Sequence, residues 1–166
     1  NMIPLSVPNI SGNEWEYVKE CLDTEWVSSA GKYVDLFEDK VRNYNGAKYS
    51  IACSNGTSAI QVSLRLAGVK ALDEVIVPSL TFIAPVNAIK YNGADPIFMD
   101  VDKFYNIDIE KTVDFIKSKT KFKNGSSYNI NTQKKISAII PVHMWGNAVD
   151  LEQLISICVK RNIAVV

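Results

Sequence analysis

The chain has 166 residues, 47% apolar and 22% charged, which suits one domain with a proper core. Its 18 Lys and Arg residues balance 18 Asp and Glu, so charge gives no case for a nucleic-acid or anionic-membrane partner. No apolar run approaches the ~20 residues of a membrane span, and NMIPLSVPNISGNEW lacks the basic and apolar regions of a signal peptide, so the expectation is a cytoplasmic protein.

Taken in chain order, Ser11 with Glu14 three residues on reads as a capping box, followed by Trp15, Val18 and Leu22 at helical spacing. TEWVSSAGK is an irregular loop. Val34, Phe37, Val41 and Tyr44 mark the face of a second helix that stops at Gly46. YSIAC reads as a strand, and Ile60, Leu64 and Ala67 line the helix after it. The alternation then repeats. Val75–Pro78 is a strand, and Phe82–Asn92 a helix with Pro85 in its first turn, where a missing N–H costs little. PIFMD is a strand, and Asp108 caps a helix carrying Ile109, Val113 and Ile116. Ile136–Val142 is a strand, Asp150 with Gln153 a second capping box, and IAVV a last strand.

Strands that are apolar throughout, alternating with helices, predict a three-layer α/β/α fold with a mostly parallel sheet and right-handed crossovers. The whole chain reads as one incomplete domain, with residues 1–46 supplying helices and a loop and 47–166 the alternating part. The basic stretch Lys117–Lys123 with Lys134 and Lys135 reads as a solvated edge. Cys21, Cys53 and Cys158 stand far apart without a CxxC spacing. That argues against a metal site and predicts three buried thiols.

Sites in such folds lie beyond the carboxyl ends of the strands. There SNGTSA places Gly56, Thr57 and Ser58 at a helix N-terminus, where free N–H groups and hydroxyls suit a phosphate; an ordinary N-cap is the competing reading. Phe82 follows a strand and is either a platform for a flat ligand or a core aromatic. His143 is the only histidine, which makes zinc binding improbable and suits an orienting role better than a chemical one. Neither GxxxxGK[ST] nor GxGxxG is present.

Five strings in register, WVSSAGKYVDLFE, SNGTSAI, DEVIVPSLTFIAPVNAI, GADPIFMDVD and IIPVHMWGNAVDLEQL, resemble the amino-terminal part of the DegT/DnrJ/EryC1/StrS sugar aminotransferases. The opening thirty residues, together with an insertion between Lys117 and Ile136, are similar to the LegC-type branch. The resemblance implies the large domain of the aspartate-aminotransferase fold and pyridoxal 5′-phosphate as cofactor. It also implies a homodimer that moves nitrogen from glutamate to a UDP-linked 4-keto-6-deoxy-N-acetylhexosamine for surface polysaccharide or nonulosonic acid biosynthesis. By the same resemblance Gly56, Thr57 and Ser58 hold the cofactor phosphate, and Phe82 stacks on its ring. Ser29, Lys32 and His143 lie near the sugar nucleotide.

The lysine that forms the Schiff base and the carboxylate beside the pyridine nitrogen are expected after Val166, so the 166 residues alone are expected to be inactive. A Rossmann-like nucleotide-binding domain and a non-catalytic module for pyridoxal phosphate or a sugar phosphate are the alternatives.

Overall fold

The computed structural model describes residues 2–4 and 6–166. The chain forms two compact units, Asn1–Ala52 and Cys53–Val166.

The first unit carries helices α1 (Glu14–Asp23) and α2 (Lys32–Asn45). The Ser11 capping box does not form. Asn13 occupies the N-cap without a side-chain bond, and the Glu14 carboxylate accepts from the Gly12 N–H at 2.8 Å. Glu14 is the first helical residue, too near the start to reach back as a capping-box Glu does. Helix α2 closes as its sequence predicts: Gly46 takes the left-handed conformation (φ 65°), and the Ala47 N–H returns to the Arg42 carbonyl. The apolar stripes of both helices exist, but neither helix buries a residue fully.

YSIAC is not a strand. It has no strand partner among the described residues, and Tyr49 and Ile51 are exposed. A strand is made by its ladder of hydrogen bonds, and apolar content alone does not supply one. The end of this segment is held instead by the Ala52 N–H donating to Glu38 Oε1 at 2.7 Å.

The second unit contains the alternation. Its elements are α3 (Gly56–Leu66), β1 (Glu74–Pro78), α4 (Ile83–Tyr91), β2 (Asp95–Met99), α5 (Ile109–Ser118), β3 (Thr120–Lys123), β4 (Ser126–Asn129), β5 (Lys135–Ile139), α6 (Glu152–Arg161) and β6 (Ala164–Val165). Strand order is β2-β1-β5-β4-β3, with β6 also against β5. β1 runs parallel to β2 and β5, and β5 to β6; only the β3–β4 hairpin and its junction with β5 are antiparallel.

The layers follow from the period-2 alternation of β1. Val75 and Val77 point into one core with Leu64 of α3 and Ile89 of α4. Ile76 points into the other, with Ile116 of α5 and Leu154 and Cys158 of α6. Each fully buried Val, Leu or Ile is worth roughly 1.5–3 kcal/mol. β1 is buried along its whole length, between β2 at the sheet edge and the central β5.

Asp108 caps α5 as predicted, accepting from the Lys111 N–H at 3.0 Å. Asp150 does not cap α6 in the expected way: the helix begins at Glu152, whose N–H donates to Asp150 Oδ1, so Gln153 lies too early to close a box. The basic stretch is more than a solvated edge. It folds into the β3–β4 hairpin and extends the sheet, with Thr120, Ser127 and Asn129 turned inward and Lys121 and Lys123 outward. Lys134 is tied to Asp95 at 2.5 Å. Of the three thiols only Cys158 is buried; Cys21 is half-buried and Cys53 exposed, because Cys53 ends the YSIAC segment that forms no strand.

Candidate functional site

The carboxyl ends of β1 and β5 and the N-terminus of α3 open on one depression of about 480 Å³. Gly56, Thr57 and Ile60 come from α3, and Thr81, Phe82, Ala84 and Pro85 from the start of α4. Ile140 to His143 come from the chain leaving β5. The structure thus brings together Gly56, Thr57, Phe82 and His143, four positions spread over 88 residues (143 minus 56, plus one).

The local geometry at the start of α3 leaves hydrogen-bond donors free. Asn55 is extended (φ −166°) and its side chain accepts from the Ser58 N–H at 2.9 Å. The first helical bond is Ala59 N–H to the Asn55 carbonyl. The Gly56 and Thr57 N–H groups stand ahead of it, with no partner among the described residues. They add hydrogen-bond donors to the partial positive end of the helix. A Cβ built on Gly56 would meet nothing within 4 Å, so the backbone there is open to a ligand.

Ser58 is placed differently from Gly56 and Thr57. Its N–H is spent on the Asn55 cap, its hydroxyl accepts from Ser54 Oγ at 3.4 Å, and it does not line the depression. Asn55 is the residue that sequence reasoning left without a role; its signal was an N-cap side chain directly before the glycine.

Phe82 is 80% exposed, which removes the core reading and leaves a free aromatic face at the rim. Beside it the Thr81 hydroxyl oxygen is buried with no hydrogen-bond partner among the described residues. A buried hydroxyl without a partner is costly and marks a place where a polar group is wanted. Free N–H donors at a helix end, an exposed ring and an unspent hydroxyl fit a flat phosphorylated cofactor.

His143 begins the loop after β5. Its carbonyl accepts from the Gly146 N–H at 3.1 Å, and its Nδ1 accepts from the Val149 N–H at 3.1 Å. Asn106, almost wholly buried, accepts from the Met144 N–H at 3.2 Å and donates to the Ala148 carbonyl at 3.4 Å. Trp145 takes a left-handed conformation (φ 51°), which a bulky residue adopts only where its surroundings hold it.

Ser29 and Lys32 belong to the other unit. There a depression of about 370 Å³ is lined by Glu20, Trp26, Ser28, Gly31, Lys32 and Tyr33, and Ser29 is not among its walls. The Trp26 indole N–H donates to the Ala30 carbonyl, and its ring lies where a Cβ on Gly31 would sit. Lys32 is paired with Glu20, which also accepts from the Tyr33 hydroxyl at 2.6 Å. The Glu20 bond raises the ammonium pKa of Lys32, and the Lys32 bond, then that of Tyr33, lowers the carboxyl of Glu20. Lys32 is therefore committed as a cation. No lysine lines the depression at the strand ends, among the described residues no cluster of potential metal ligands occurs, and no helix is long and apolar enough to cross a membrane.

The fold is shared with solved enzymes that act with pyridoxal phosphate. A DegT DnrJ EryC1 StrS aminotransferase from Brucella abortus superposes with a TM-score of 0.79 at 29% identity, covering 90% of this chain and 38% of that one. The family model for DegT/DnrJ/EryC1/StrS aminotransferases matches residues 8–166, and the chain belongs to that family. It is 41% identical to a GDP-perosamine synthase of Escherichia coli O157:H7, over 99% of this chain and 41% of that protein. It is 38% identical to a dTDP-3-amino-3,6-dideoxy-alpha-D-galactopyranose transaminase of Aneurinibacillus thermoaerophilus, over 87% and 36%. The chain thus spans about two-fifths of the length of these curated relatives. Membership in this pyridoxal-phosphate family takes the place of the Rossmann-like alternative.

Proposed function

We propose that these residues are the phosphate-holding part of a pyridoxal-phosphate aminotransferase that transfers an amino group from glutamate to a nucleotide-linked 4-keto-6-deoxy sugar. The observation that carries this reading is the depression at the strand ends, where unpaired Gly56 and Thr57 N–H groups, the exposed Phe82 ring and the Thr81 hydroxyl converge. In it Gly56 and Thr57 would hold the phosphate, and Phe82 would stack on the ring. Thr81 would satisfy its hydroxyl on the bound group. Asn55 keeps the helix end in shape. The cofactor, when bound, supplies the electron sink that amino transfer needs. The reacting lysine is assigned to a part of the enzyme outside these residues, because the lysines of this chain lie away from the depression and Lys32, Lys90, Lys111 and Lys134 are tied to carboxylates. In this reading Ser29 and Lys32 belong to the sugar-nucleotide side, and the enzyme works as a homodimer.

The acceptor we propose is a UDP-linked 4-keto-6-deoxy-N-acetylhexosamine, from the LegC-like opening residues and the insertion that forms the β3–β4 hairpin. A GDP-linked acceptor is the second reading, favoured by the 41% identity to a GDP-perosamine synthase. The full-length enzyme, given pyridoxal phosphate, glutamate and either nucleotide sugar, distinguishes them through 2-oxoglutarate release. Faster release with the UDP sugar is expected; faster release with the GDP sugar selects the second reading; none with either contradicts both.

A further inference from the structure

His143 offers two ring nitrogens, and the fold has used one of them. A backbone N–H can only donate, so the Nδ1 that receives the Val149 N–H carries no proton. The neutral ring then bears its proton on Nε2. The opposite tautomer would set two protons against each other across a 3.1 Å contact. The surrounding loop is pinned rather than free: buried Asn106 holds the Met144 N–H and the Ala148 carbonyl, and Gly146 closes on the His143 carbonyl. His143 lines the depression, and its Nε2 has no hydrogen-bond partner among the described residues.

We infer that His143 is a fixed neutral hydrogen-bond donor, presenting Nε2–H to an oxygen acceptor of the bound cofactor, and is not a general base. The cofactor half of this inference rests on the function proposed above; the tautomer half does not. In the neutral ring one nitrogen is protonated and the other is occupied by Val149, so neither is free to take a proton from substrate. The acceptor is an oxygen on the phosphate or on the pyridine ring.

Comparison with His143→Phe assigns the His143 imidazole signals in the full-length enzyme. Long-range proton–nitrogen spectra of the 15N-labelled full-length enzyme, taken well above the ordinary imidazole value of about 6.5, should show protonated Nε2 and bare Nδ1 at His143. A protonated Nδ1 would overturn the inference. Pyridoxamine 5′-phosphate is the ligand probe, because it has the cofactor's ring and phosphate but no aldehyde to react with stray lysines. It should shift the Nε2–H signal together with the Gly56 and Thr57 amides. Inorganic phosphate alone producing the same shift identifies a phosphate oxygen as acceptor, and a shift needing the ring identifies a ring oxygen. Amide shifts with an unmoved His143 signal overturn this inference and leave the proposed function standing, whereas no shifts at all overturn both. Binding gives a second readout. His143→Phe should weaken pyridoxamine 5′-phosphate about tenfold, the scale of one hydrogen bond to a charged group. His143→Gln, which keeps a donor and an acceptor, should restore most of it; equal loss in both variants would count against the donor.

Discussion

Asp95 stands between two lysines, Lys90 of α4 at 2.7 Å and Lys134 of the turn before β5 at 2.5 Å. Their hydrogen bonds, Lys134 first and Lys90 second, draw its carboxyl from the ordinary 3.8 down to about 2. A carboxyl with a lowered folded-state value stabilises the fold above its unfolded value and ceases to do so as acid reaches the folded value. Stability held by this cluster is therefore complete above about pH 4 and is lost on the way down to about pH 2. NMR titration of Asp95 should show the low midpoint, and Lys134→Met should move it upward; an unmoved midpoint contradicts the pairing. The thiols give a second residue-scale prediction. Burial pushes Cys158 up to about 11, while Cys53 is exposed. At pH 8 a thiol reagent read by mass spectrometry should modify Cys53 rapidly and leave Cys158 untouched until the chain unfolds. Rapid labelling of Cys158 would place the α6 core elsewhere. Phe82 and His143 were legible as candidates because each follows a strand, and Gly56 and Thr57 because they open a helix. Thr81 was not, since an unpartnered hydroxyl becomes visible only once its neighbours are known. Ser58 differs from its neighbours in a way its place in the motif did not show: its N–H closes the cap.

The elements of the second unit were legible wherever apolar period and punctuation agreed, as for β1, α4 and α5 with its Asp108 cap. Two kinds of element were not. YSIAC has the composition of a strand, but composition does not say who its neighbour is. The hairpin β3–β4 runs through lysines, asparagines and serines with little apolar signal, and it holds because its inward residues find polar partners. Asn129 Nδ2 donates to Glu74 Oε2 at 2.9 Å with both side chains almost wholly buried, and Ser127 Oγ donates to the Arg161 carbonyl at 2.7 Å. Removing one partner of a buried pair leaves the other unsatisfied. Asn129→Ala should cost about 1–3 kcal/mol in urea unfolding. The double variant Asn129→Ala, Glu74→Gln should recover part of that cost, since it takes the unpaired charge away. An Asn129→Ala chain as stable as the parent would show that the bond does not hold the hairpin to β1.

At the scale of the molecule, the chain is a helical first unit and an α/β second unit, and the depression at the strand ends lies wholly within the second. Its residues come from the start of α3 and from the segments that follow β1 and β5, which are parallel neighbours. That convergence is why a motif as weak as SNGTSA gains meaning: the helix N-terminus it caps faces an aromatic rim and a pinned imidazole. The most direct test is a crystal structure of the full-length enzyme grown with pyridoxal 5′-phosphate. The phosphate oxygens should lie at hydrogen-bond distance, ~3 Å, from the Gly56 and Thr57 nitrogens, with the pyridine ring against Phe82. Cofactor bound elsewhere, with those two N–H groups facing solvent, would contradict the account.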